Sequence, residues 1–174
     1  MSEGIEIRAA VPGDGAAVAR IYNHYVRETV VTFEEQPVPG LVMAERIRET
    51  LAAPLPWLVA EREGQVLGFA HASAWKGRCA YRFSAEVTVY IDPAHVGSGL
   101  GRRLYGPLLD ELAALGVHTA LAGIALPNDA SVALHEHFGF EQVAHFREVG
   151  FKLGRWVDVG YWQRILDAPS REVV

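Results

Sequence analysis

The chain holds a single cysteine, Cys79, among 174 residues. No disulfide can form within it, and a reducing, cytoplasmic compartment is the expected setting. Runs of Lys and Arg are lacking: 16 basic residues face 21 acidic ones, for a net charge of −5. That balance offers no footprint for nucleic acid, so no nucleic-acid partner is expected. The mild negative charge bears on solubility alone. No apolar run reaches membrane-spanning length. Residues 1–7 carry Glu3 and Glu6 and no basic stretch followed by an apolar one, so neither a signal peptide nor a membrane partner is expected. Repeats and low-complexity tracts are missing too. Apolar residues are plentiful, at 50% of the chain. They suffice for the core of one compact domain spanning residues 1–174.

Ile5 and Ile7 alternate with charged residues, which predicts a short first strand. Pro12-Gly13-Asp14 then break the chain and open a helix, whose apolar positions Val18, Ile21, Tyr22 and Tyr25 recur at helical spacing. Pro37, Pro39 and Gly40 make residues 34–40 a loop. A second helix is expected over residues 44–51, ending before Pro54. Residues 57–60 and 66–72, around a turn at Gly64, read as a hairpin. A longer strand over residues 84–91 puts Val87, Val89 and Ile91 on one face and Glu86, Thr88 and Tyr90 on the other. Pro93 ends it. Gly97, Gly99 and Gly101 lead into a helix with Leu104, Leu108, Leu112 and Leu115 along one side, in which Pro107 predicts a kink. A strand at 119–124, a loop at Pro127 and Asn128, and a helix over 130–138 stopped by Gly139 follow. Strands near 142–149 and 157–164 complete an order that predicts an α/β (α+β) fold on a mixed sheet.

The run His95-Val96-Gly97-Ser98-Gly99-Leu100-Gly101-Arg102 follows a strand and opens a helix. Glycines let backbone N–H groups approach a ligand, and the helix N-terminus adds partial positive charge, which suits a pyrophosphate. Arg102 adds a full charge. Taken alone, the run reads equally as a tight strand-to-helix turn. It is not a Walker loop, because no Gly-Lys-Ser/Thr ends it. The dinucleotide pattern fits poorly as well, since the loop lies past the middle of the chain and the next strand supplies no acidic residue. A nucleotide hydrolase would need a Lys and a metal-binding carboxylate near the loop, and neither is present.

A second block, Asn128-Asp129-Ala130-Ser131, is followed by Leu134-His135 and Phe138-Gly139-Phe140. The two blocks, in this order and at this separation, resemble the GCN5-related N-acetyltransferase (GNAT) superfamily. That superfamily joins a strand, a glycine loop and a helix to a later Asn-x-x-Ser/Ala helix ending in Gly-Phe. Further runs resemble its phosphinothricin and methionine sulfoximine acetyltransferase subfamily: Tyr22-Asn23-His24-Tyr25, Pro56-Trp57-Leu58-Val59-Ala60-Glu61, Tyr81-Arg82-Phe83-Ser84-Ala85-Glu86-Val87-Thr88-Val89-Tyr90, Leu126-Pro127-Asn128-Asp129 and Gly154-Arg155-Trp156-Val157-Asp158-Val159-Gly160. The resemblance covers nearly the whole chain. It implies a mixed, mostly antiparallel sheet flanked by helices, acetyl-CoA as donor, no metal, and a homodimer. It also implies acetylation of the amino group of a small amino-acid-like molecule of phosphinothricin type. The same chemistry on methionine sulfoximine, methionine sulfone or another small amine is the nearest alternative. A protein N-terminus or lysine is a further possible target. A non-catalytic CoA-binding sensor would keep the glycine loop and Asn128 yet could lose Glu86; this chain retains Glu86 and His135.

Residue by residue, the resemblance implies that Gly97, Ser98, Gly99, Leu100, Gly101, Arg102 and Asn128 hold the donor. Val89, Tyr90 and Ile91 border it, with backbone amides of Val89 and Ile91 meeting the acetyl carbonyl and pantetheine arm. The superfamily often has Gln or Arg where Val96 stands, so this loop carries less charge. An amine must lose a proton to attack a thioester, and Glu86 is implied as the general base. His135 occupies the helical position where many members carry a tyrosine that protonates the leaving thiolate. It reads either as that acid or as a histidine packed on a helix face. Phe33, Lys76, Arg78 and Tyr81 are implied at the substrate, where Arg can bind oxyanions in bidentate fashion. Cys79 has no adjacent histidine, and the subfamily uses no covalent intermediate, so it is not read as a nucleophile. Trp57, Trp75, Trp156 and Trp162 read as core or interface residues.

Overall fold

The computed structural model describes residues 4–166. Its strands are β1 (Glu6–Ala9), β2 (Trp57–Arg62), β3 (Gln65–Ala74), β4 (Ser84–Ile91), β5 (Thr119–Leu126), β6 (Glu141–Lys152) and β7 (Arg155–Ile165), and its helices are α1 (Gly15–Glu28), α2 (Gly40–Ala52), α3 (Leu100–Ala114) and α4 (Asp129–His137). Single 3-10 turns lie at Pro12–Asp14, Cys79–Tyr81 and Pro93–His95.

The entry to α1 is tied down by Asp14. Its carboxylate accepts the Val11 N–H at 2.9 Å and two guanidinium nitrogens of Arg8 at 2.8 Å each, while Arg8 Nε also donates to Glu61 on β2. The helix α2 starts at Gly40, ahead of the expected position, and Met43 N–H donates to the Pro39 carbonyl. Gly40 belongs to the helix because α1 and α2 cross closely there: a Cβ on Gly15 would lie 2.6 Å from the Gly40 carbonyl oxygen. Propensity alone disfavours glycine in a helix, and this crossing overrides it. In α3 the helix continues through Pro107 without a break.

All seven strands form one sheet in the order β1-β2-β3-β4-β5-β7-β6. Neighbours are antiparallel except β4 and β5, which run parallel. Two apolar clusters cover its faces. Leu67, Val87, Leu104, Leu108 and Leu112 pack on the α3 side; Val18, Ile21, Ile47, Val59 and Phe69 pack on the α1–α2 side. Each such side chain stabilises the fold by about 1.5–3 kcal/mol on burial. Alternation along β4 sends Val87, Val89 and Ile91 to the first cluster and Tyr90 to the second. Glu86 and Thr88 share the Tyr90 face.

The pairing of β4 with β5 is short. It runs from Ser84↔Thr119 to Glu86↔Leu121. Beyond it β4 stays on β3 as far as Ile91, and β5 stays on β7 as far as Leu126. The two parallel strands therefore splay from Val87 and Ala122 onward. The β6–β7 hairpin is longer than the sequence predicts. It turns at Leu153 and Gly154, with φ of 51° and 74°, the two positive values that a tight hairpin turn requires.

Candidate active site

The splay sets three adjoining cavities. The first is a groove of about 610 Å³ between the end of β4, the glycine loop and α4. Val89, Tyr90, Ile91, Gly97, Gly99, Gly101, Arg102 and Asn128 all line it. Gly97 and Gly99 have φ of 80° and 84°, which lets the chain fold back and open α3 directly. Gly99 stands at the cap position and no side chain caps the helix, so its first N–H groups and its positive dipole end suit an anion. The Asn128 side-chain oxygen accepts the Ser131 N–H at 3.2 Å and caps α4.

Two of the expected donor residues, Ser98 and Leu100, do not line the groove. Leu100 is 2% exposed and packs in the α3 core. Ser98 turns its hydroxyl back to the His95 carbonyl at 2.5 Å. Ser98 sits in the loop and Leu100 opens α3, so each is offered to a donor through its backbone alone. Sequence reading missed Tyr25, Val31, Ala130, Ser131, Ala133 and Leu134, which also line the groove. The Tyr25 hydroxyl donates to the Ile91 carbonyl at 2.5 Å and holds the end of β4.

The second cavity, about 470 Å³, is lined by Val31, Phe33, Glu86, Gly123, Ala125, Phe146, Val149, Val159 and Tyr161. Its walls are apolar apart from Glu86 and the Tyr161 hydroxyl. Burial pushes the Glu86 carboxyl above the usual glutamate range, and the Lys76 charge offsets part of that rise. Tyr161 is also pushed up, first by burial and then by the Glu86 charge. Its ring is held edge-on by Trp75 at 5.3 Å and Phe146 at 5.9 Å between centroids. The alternation that places Val159 and Tyr161 together was the one sequence signal for this wall, and it needed the pairing of β7 with β5 to give it a direction.

The third cavity runs along the splay and joins the other two. It touches Val89, Tyr90 and Asn128 of the groove and Phe33, Glu86 and Gly123 of the pocket. His135 is on its wall but 3% exposed. Its Nδ1 lies 2.7 Å from the Ser131 carbonyl, and its Nε2 lies 2.5 Å from the Tyr105 hydroxyl. A carbonyl can only accept, so Nδ1 carries the proton and Nε2 accepts from Tyr105. Burial lowers the His135 pKa, which keeps the ring neutral.

Of the expected substrate residues, Phe33 lines the Glu86 pocket. Lys76 is exposed, with Nζ 4.7 Å above the Trp75 ring. Arg78 and Tyr81 lie on the exposed segment before β4 and line none of the three cavities. Trp57 and Trp162 are core residues at 3% exposure each, whereas Trp156 is exposed on the hairpin.

Comparison with known proteins fits this layout. Residues 18–140 match the family described as Acetyltransferase (GNAT) family. The chain is 43% identical over 166 residues to a phosphinothricin N-acetyltransferase of Streptomyces viridochromogenes, covering 95% of this chain and 90% of that one. It is 39% identical to an L-methionine sulfoximine/L-methionine sulfone acetyltransferase of Salmonella typhimurium, covering 92% and 94%. A GNAT superfamily phosphinothricin acetyltransferase from Sinorhizobium meliloti, solved in complex with acetyl-CoA, superposes with a TM-score of 0.90 at 37% identity, over 93% of this chain and 88% of that one. With the groove, the splay and these likenesses in place, the chain belongs to the acetyltransferase (GNAT) family and is an acetyltransferase of its phosphinothricin and methionine sulfoximine/sulfone branch.

Proposed function

We propose that this enzyme transfers the acetyl group of acetyl-CoA to the amino group of a small amino-acid-like substrate, of the phosphinothricin or methionine sulfoximine/sulfone type. One observation carries the reading: the splay between β4 and β5 connects the glycine-loop groove to the Glu86 pocket. A donor in the groove can thus meet an amine in the pocket across the sheet, in a ternary complex.

Acetyl-CoA supplies an activated acyl carbon when bound. The residues present fit it, because positive-φ glycines and an uncapped helix N-terminus suit a pyrophosphate. Arg102 adds charge at the same end. Gly97, Gly99, Gly101 and Asn128 hold the donor in this reading, and the backbone of Val89, Tyr90 and Ile91 borders its acyl end. Their edge, released from β5, polarises the carbonyl where negative charge develops. Glu86 takes a proton from the substrate amine, directly or through a water, and burial suits it to that task near neutral pH. His135 donates its only ring N–H to the Ser131 carbonyl, so we read it as a neutral residue that holds the buried Tyr105 hydroxyl of α3. Phe33 walls the amine pocket. Lys76, whose charge reaches Glu86, would meet the substrate's oxyanion. Arg78 and Tyr81 lie on the exposed segment before β4, outside the three cavities, and would reach it only if that segment moved inward.

The test is release of free thiol from acetyl-CoA against phosphinothricin, methionine sulfoximine, methionine sulfone, ordinary amino acids, simple amines and a lysine peptide. Turnover confined to one or two amino-acid analogues is the expected result. Acetyl-CoA binding without turnover of any amine would favour a sensor instead. We also propose a cytoplasmic homodimer, supported by the lone exposed cysteine and by exposed apolar side chains along β6 and β7.

A further inference from the structure

Lys152 is a buried charge that the chemistry above leaves unused. It lies on β6 at 3% exposure, and none of the ion pairs among the described residues involves it. An ammonium out of water needs hydrogen-bond acceptors. Here they are backbone carbonyls: Thr32 at 2.7 Å and Tyr25 at 3.4 Å. The Tyr25 carbonyl sits at the C-terminal turn of α1, where the helix dipole favours a cation.

These bonds tie β6 to the irregular segment 29–33, which forms one wall of the Glu86 pocket through Val31 and Phe33. The segment is gripped elsewhere too. Val30 packs with Ala125 of β5 and Val157 of β7. The Thr32 hydroxyl lies 2.7 Å from that of Tyr22 on α1. The Phe33 ring lies on Gly150 of β6, where a Cβ would overlap it. The segment has no backbone ladder of its own, so its position depends on these grips, and Lys152 makes the charged one.

We propose that Lys152 is a positioning residue for the amine substrate: by holding the Thr32 carbonyl it fixes segment 29–33, and with it the Phe33 wall that faces Glu86. The inference rests on the reading that this pocket takes the amine. Removing the ammonium leaves a buried carbonyl without its partner and frees the wall to shift. A displacement of an ångström at a substrate wall can cost up to about 100-fold in rate. In the donor groove, Tyr25 and Val31 border the end near β4, whereas the glycine-loop end is lined by Gly97, Gly99, Gly101 and Arg102, outside the segment that Lys152 holds.

The experiment compares the full chain with Lys152→Met, Lys152→Arg, Gly150→Ala and Glu86→Gln. Initial rates with methionine sulfone and phosphinothricin give KM and kcat, and calorimetry gives acetyl-CoA affinity without amine. Lys152→Met is expected to raise the amine KM about 10–100-fold, with acetyl-CoA affinity moving less than about threefold. Lys152→Arg, which keeps a long cationic donor, should recover part of the loss. Gly150→Ala displaces Phe33 without touching the lysine and should raise the amine KM as well, which keeps the test open if Lys152→Met does not fold. An unchanged amine KM in folded Lys152→Met, or in Gly150→Ala where that variant alone folds, overturns the proposal. So does an equal loss of acetyl-CoA and amine affinity. Full turnover by Glu86→Gln would instead overturn the reading of the pocket itself.

Discussion

At the scale of single residues, Glu86 sets the pH behaviour. It must be ionised to accept a proton, and burial raises its pKa. Turnover should therefore fall as pH drops through a value above that of an ordinary glutamate. Glu86→Gln should lower kcat by about 10²–10⁴-fold and flatten that acid limb, with acetyl-CoA binding intact. A pH–rate profile of both proteins checks this; collapse of acetyl-CoA affinity would make Glu86 structural instead. The sequence made Glu86 visible because it stands on the strand before the glycine loop. It could not show Tyr161 or Gly123 beside it, because those residues reach the pocket only through strand pairings far apart in the chain. His135 was visible in type and position, but the proton on its ring is decided by the Ser131 carbonyl one turn back and by Tyr105 on α3, and the Tyr105 contact lies outside any local pattern.

Asp14 is a second case at this scale, for stability. Its pKa is lowered, first by the hydrogen bond from Arg8, against the opposing effect of burial. A depressed carboxylate pKa stabilises the fold above the unfolded value, and that contribution is lost as pH falls through the folded one. Asp14→Asn should cost about 1.5–3 kcal/mol at neutral pH. Urea midpoints of the two proteins, measured at a series of pH values, should begin to close in the ordinary aspartate range and converge only as pH falls through the lowered folded-state value. A gap that persisted undiminished in acid would rule out the ionised pair as its source.

At the scale of elements, the splay of β4 from β5 makes the site, and Gly123 keeps it open. A Cβ there would lie 3.1 Å from the Tyr161 ring and 3.3 Å from Glu86 Oε1. Gly123→Ala should thus crowd the space beside the base. We expect a loss of about tenfold in kcat/KM for the amine, with acetyl-CoA affinity and thermal midpoint near those of the parent. An unaltered kcat/KM would mean that the amine does not approach Glu86 from the β5 side. Most elements were legible from local pattern: the alternation of β4, the glycines before α3 and the Gly139 stop after α4. The early start of α2 was not, because a glycine contact between two helices replaces the usual capping residues. The extent of β6 was also hidden. Its register shifts between Phe146 and Gly150 break the alternation, and a Leu-Gly turn stands where Asn-Gly would have announced a hairpin.

At the scale of the whole molecule, β6 is an edge strand in a sheet of seven, and it exposes apolar side chains among charged ones such as Arg147 and Glu148. Phe146, Val149, Phe151 and Trp156 are 47%, 56%, 55% and 62% exposed, and Phe151 pairs with Trp156 across the hairpin at 5.0 Å between ring centroids. Monomeric proteins cover or charge such edges. A second copy of the chain would bury these rings, each contributing about 1.5–3 kcal/mol, and a homodimer would also press on the strand that carries Lys152 and Gly150. Sedimentation should show twice the chain mass at micromolar concentration. Trp156→Glu should shift the protein toward monomer and raise the amine KM together, because the same hairpin supports the Phe33 wall. A variant that is fully monomeric yet keeps the parent's amine KM would separate assembly from substrate binding. A parent that sediments as a monomer at every concentration would remove the dimer altogether, leaving this apolar edge to be covered by some other surface.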